Sequence, residues 1–95
     1  MNVKFIKLIT GEELVTNATE NGDKVTIVKP ARITLHYDVN DPQSQPKSRV
    51  DIFAPHTKDL TFTINRQHIL IMEEAHPSLL DYYTNTFLTG LPNEQ

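Results

Sequence analysis

Leu60–Met72 reads LTFTINRQHILIM, and the two halves of that stretch follow different rules. In the first, Leu60, Phe62 and Ile64 alternate with Thr61 and Thr63, the period-2 pattern of a strand with one buried face. In the second, Ile69–Met72 is an unbroken apolar run, too short for a helix and suited to a strand buried on both faces. Asn65-Arg66-Gln67-His68 between them is short and polar, so the two runs are expected to form a tight antiparallel hairpin. The more apolar strand needs a cover, from another layer of this chain or from another chain.

Around that stretch, 95 residues support one domain with one modest core. At 38% hydrophobic and 22% charged, the composition is that of a folded chain rather than a disordered one. The formal charge of −3 and a pI near 5.7 argue against a general polyanion binder, which carries a basic face. Without cysteine, disulfide and thiolate chemistry are excluded. The first residues alternate apolar and charged and contain no seven-residue apolar core, so neither a signal peptide nor a membrane span is expected. The expectation is a soluble cytoplasmic protein without a membrane partner.

Val3–Ile9 is rich in β-branched and aromatic residues and reads as a first strand. Gly11 then supplies the positive φ of a turn. Glu13–Glu20 is a second strand with Leu14 and Ala18 facing inward. Asn21-Gly22-Asp23 follows as a turn, with Asn-Gly fitting a two-residue type I′ loop. Val25 and Ile27 share one face of a third strand, and beyond Pro30 the alternation resumes at Ile33, Leu35 and Tyr37. Val25–Tyr37 therefore reads as one long strand kinked at Pro30-Ala31.

Residues 38–48 hold two prolines and almost nothing apolar, an exposed loop. Arg49–Ala54 is a short strand with Val50, Ile52 and Ala54 on one face. After the central stretch the period changes. Pro77 suits the first position of a helix, with His76 before it as cap, and Leu79, Leu80, Tyr83 and Phe87 form one stripe. Gly90 and Pro92 end the helix, which spans about 77–89.

The strand order, Lys7-Leu8-Ile9-Thr10-Gly11-Glu12 near the start and Ile64-Asn65-Arg66-Gln67-His68-Ile69-Leu70-Ile71 near the end, resembles the Sm/LSm family, which includes bacterial Hfq. More narrowly, the chain is similar to small Sm-like proteins of phages of marine bacteria, including cyanophages, which place the helix after the barrel. The resemblance spans about residues 3–37 and 60–73. It implies a mainly β fold: a small, bent, five-stranded antiparallel Sm-like (SH3-like) barrel with a C-terminal helix. It also implies a homo-oligomeric ring of about five to seven subunits, in which the last strand of one copy joins the fourth of the next. The interface residues would be Phe62, Ile69, Leu70, Ile71 and Met72. Single-stranded RNA would meet Asn65, Arg66 and Gln67 at the last turn, with Asn21 and Asp23 at the earlier one. Gly11 matches the glycine of the first Sm hairpin. The Arg-Gly-Asn turn of Sm proteins is altered, its arginine shifted by one and its glycine absent.

Other constellations carry less. His68, Glu73, Glu74 and His76 are ligand-type residues close in sequence, but alternation brings only part of the set to one face, so no metal site or cofactor is expected. Asp51 and Asp59 have no acid/base partner in the pattern, and neither a nucleophile triad nor a Gly-rich phosphate loop occurs, so no catalytic residue is expected. Tyr82 and Tyr83 could stack bases, although Tyr83 lies on the helix's buried stripe, and Phe62 reads as core. Two functions stand: a ring that binds single-stranded RNA, and a ring that serves as a protein-interaction or assembly module. The acidic pI and altered turns favour the second, the resemblance the first.

Overall fold

Two glycines set up the first half of the molecule. Gly11 (φ +106°) reverses the chain between β1 (Val3–Leu8) and β2 (Glu13–Asn21), and Gly22 (φ +66°) between β2 and β3 (Lys24–His36). At the second turn only Gly22 takes a positive φ, as a type II′ loop requires, whereas the type I′ loop expected from Asn-Gly needs two such residues. The computed structural model describes residues 2–37, 39–41, 43, 45–54 and 57–88, which form one antiparallel sheet of six strands with a C-terminal helix. The fold is mainly β. The helix stops at Gly90 and Pro92 lie outside the described residues.

The kink in β3 falls where Pro30 announces it. Val15 pairs with Ala31 and Asn17 with Val28, so Lys29 and Pro30 together face the single residue Thr16. This is a bulge, and Lys29 accommodates it at φ 50°. Inward residues on either side of the bend belong to different faces. Val25 and Ile27 join Ile6, Leu14 and Ala18 in one core, while Ala31 joins Val3 and Val15 in a second core beneath the helix.

The residue pattern reads as five or six strands and the resemblance implies five; the structure has six, because the partner of β3 is broken in two. β4 (Lys47–Ile52) pairs with the second half of β3, from His36↔Lys47 to Ala31↔Ile52. β5 (Thr61–Asn65) pairs with the first half, from Val28↔Thr61 to Lys24↔Asn65. The track is interrupted between Ile52 and Thr61, and Ala54 turns out of it at φ 54°. β4 also begins two residues earlier than expected, taking Lys47 and Ser48 from the loop, and ends at Ile52 rather than Ala54.

The expected hairpin between the halves of Leu60–Met72 does not form. Arg66–His68 make a single 3-10 turn, after which β6 (Ile69–Glu74) pairs with β1, not with β5. The strands of both cores come from β1–β3, and Tyr83 completes the second. The consequence is geometric. The turn joins the start of β3, where Arg66 N–H donates to Asp23 O (2.9 Å), to the end of β1, where Ile9 N–H donates to His68 O (2.9 Å). In a flat sheet those points lie a strand length apart, about 30 Å for nine residues. A three-residue turn reaches only about 10 Å, so the sheet is strongly rolled.

The double burial expected of β6 is also incomplete. Lys7 pairs with Ile71 and Leu8 with Ile69, which leaves Leu70 as the extra residue of a bulge, 62% exposed, and Ile71 is 40% exposed. Ile69 and Met72 turn inward onto the first core. The helix does not cover this strand; it packs on the second core instead.

α1 (Pro77–Tyr83) starts as the sequence predicts, with Ser78 N–H donating to the His76 ring at 3.2 Å. Its last stretch, Thr84–Leu88, widens into a π-type turn, so the α-helical part is shorter than expected. Leu79, Tyr83 and Phe87 face the sheet, and Leu80 is exposed, off the stripe to which its spacing assigned it. Tyr83 is fully buried, stacks on Phe87, and donates its hydroxyl to Lys29 O (2.7 Å), with Val28 O at 3.1 Å. Thr16 Oγ1 donates to the same Val28 O at 3.0 Å. Two buried hydroxyls thus bond the carbonyls at the bulge, and the helix is fixed to the bend.

Candidate nucleic-acid interface at the two turns

The pairing of β3 with β5 brings together two turns that are far apart in sequence. Lys24 lies opposite Asn65, so the Asn21–Asp23 turn and the Asn65–Gln67 turn become neighbours. Lys24 Nζ donates to Asn65 Oδ1 at 2.5 Å, and the Arg66 N–H bond to Asp23 O ties the two turns through their backbones. Asp23, Asn65 and Gln67 line an open cleft of about 120 Å³. Asn21, Asp23, Arg66 and Gln67 are exposed, and Asn65 is half-buried.

Arg66, the residue with the clearest prospect of meeting phosphate, is already engaged. Its guanidinium forms an ion pair with Glu20, and its Nε–H donates to Gly22 O at 3.4 Å. Both side chains are nearly half exposed, so the pair is worth little to stability, but it neutralises the cation at this surface. Glu20 and Lys24 are the two members of the site that sequence reasoning missed. No local pattern links Glu20 to a residue 46 positions away; only the β3–β5 register does.

The five residues expected at a subunit interface separate into two groups. Phe62, Ile69 and Met72 pack on the first core, with Phe62 edge-on to Phe53 (centroids 6.3 Å apart, planes at 85°). Leu70 and Ile71 point outward along the free edge of the sheet.

Elsewhere the surface is less specific. A groove of about 660 Å³ lies between β4 and α1, lined by Phe5, Ile33, Val50, Leu79 and Tyr82 with Arg49 and Asp51 at its side. At the first turn the Thr10 hydroxyl hydrogen-bonds Glu12 and holds its carboxyl below the ordinary carboxylate range, helped by the charge of Arg32. Among the described residues no group of three or more His, Asp or Glu side chains could hold a metal ion, and no helix is long and apolar enough to cross a membrane. No family model matches the chain, and no curated protein matches it.

Proposed function

We propose that the chain is an Sm-like barrel whose copies join edge to edge into a ring of about five to seven subunits, and that the ring presents its turn surface to single-stranded RNA. The observation that carries the assembly is the contrast between the two free edges. β4 (KSRVDI) ends the sheet on one side with Lys47 and Arg49 exposed; β6 (ILIMEE) ends it on the other with Leu70, Ile71 and Glu73 exposed. Pairing β6 of one copy with β4 of the next sets acidic against basic residues and shields the outward leucine and isoleucine. The contact of Arg49 with Asp51 within β4 (3.4 Å) is exposed and weak, so it does not withhold the arginine. Such a contact is heterologous, and it stops growing only by closing a ring. Barrel closure is supported by the 3-10 turn that holds the end of β1 beside the start of β3.

RNA binding is supported by the meeting of the two turns, which gathers amide, carboxylate and ammonium groups at one place. In a ring every copy repeats that place, so weak individual contacts add along a strand. The reading is one of binding rather than catalysis, in the cytoplasm. The Arg66–Glu20 pair and the net charge of −3 favour a second reading, an assembly module without nucleic acid. Titration of the assembled protein with uridine-rich and adenine-rich oligonucleotides separates the two. Saturable binding supports RNA recognition, and no binding even at low salt leaves the assembly module.

A further inference from the structure

The turn site has an unusual balance for a nucleic-acid surface. Its one guanidinium is committed to Glu20, and its ammonium, on Lys24, is committed to Asn65. What faces the cleft is therefore a carboxylate, Asp23, with the amides of Asn65 and Gln67. Because Asn65 Oδ1 accepts from Lys24, its amide nitrogen is left as a donor. A carboxylate beside amide donors selects a ligand edge with two adjacent donors and a neighbouring acceptor.

From this we infer that the site reads a guanine base, an inference that rests on the RNA reading above. Guanine alone among the bases presents N1–H and the N2 amine side by side, which a carboxylate accepts in bidentate fashion. Its O6 lies next to N1–H, in reach of an amide N–H. Adenine and cytosine each place a ring-nitrogen acceptor beside their amine, and uracil flanks its one N–H with two carbonyls. Each would set a lone pair against the Asp23 carboxylate. The cleft seats the edge of one base, so recognition is of a guanine presented singly, within a strand or as a free nucleotide.

The test is a fluorescence titration of the full-length protein with uridine pentanucleotides carrying a central guanosine, inosine, adenosine or uridine. The expected result is tightest binding of the guanosine strand, by about tenfold over adenosine and uridine, with inosine, which lacks the N2 amine, in between. Asp23→Asn keeps the turn, whose bond to Arg66 uses the backbone carbonyl, and should abolish the preference with the far-UV spectrum unchanged. Guanosine monophosphate competing as well as the strand would support base recognition and identify a free nucleotide as sufficient. Equal affinity for all four strands, a preference for adenosine or uridine, or a preference that survives Asp23→Asn would overturn the inference while leaving RNA binding in place. Binding of none of the strands would remove both.

Discussion

Tyr83 joins local strain to tertiary packing. The bulge at Lys29 exists because Pro30 cannot donate to the ladder, and it leaves backbone carbonyls inside the molecule. The Tyr83 hydroxyl answers them from a helix more than fifty residues away. Tyr83→Phe keeps the ring and its stacking on Phe87, so the expected loss is that of the hydrogen bond, about 1–3 kcal/mol in a denaturant titration. A loss near zero would show that water replaces the hydroxyl. Burial pushes the hydroxyl's pKa above its ordinary value of 10.0, outweighing the Asn17 backbone and Thr16 hydroxyl contacts that favour ionisation. A raised native pKa means that the native state holds its proton after the unfolded chain has released it. The contribution is therefore complete below pH 10.0 and declines as pH rises above it. Tyr83→Phe should flatten that alkaline decline. Gly22 makes a simpler case: a Cβ there would meet nothing within 4 Å, so Gly22→Ala tests only the positive φ. Its expected cost is about 1 kcal/mol by thermal unfolding.

At the level of elements, the strands and the pairings across the two glycine turns were legible, and the partners of the last two strands were not. Alternation places Leu14, Ala18, Val25 and Ile27 on the inner face, where the structure has them, and Pro30 marks the bend. Period-2 reasoning sees only one strand at a time, however. It cannot tell that β5 runs along β3 while β6 runs along β1, because Asn65–His68 has the length and polarity of a hairpin turn. The bulge at Leu70 was hidden for a related reason: an apolar run carries no phase, so nothing in Ile69–Met72 shows which residue will be displaced outward. The site was half legible. Its two turns were readable, but their meeting and the part played by Glu20 depend on the register between distant strands. Since Leu70 is exposed within one chain, Leu70→Asp should leave the fold intact and abolish association. Circular dichroism should be unchanged while the sedimentation coefficient falls to that of the single chain. Loss of the folded signal instead would place Leu70 in the core of the subunit.

For the molecule as a whole, a rolled sheet with one basic and one acidic edge would make the proposed self-association directional. Glu73 on β6 and Arg49 on β4 are exposed and of opposite sign, and neither has a role in either core. Glu73→Arg should weaken assembly by placing like charges at the contact, and adding Arg49→Glu should restore it. Equal weakening in the single and the double variant would show that these residues do not meet. The central claim is the assembly itself, and multi-angle light scattering at micromolar concentration tests it most directly. The ring predicts one species of about five to seven times the 10.9 kDa chain mass, and a single species at 10.9 kDa would contradict it.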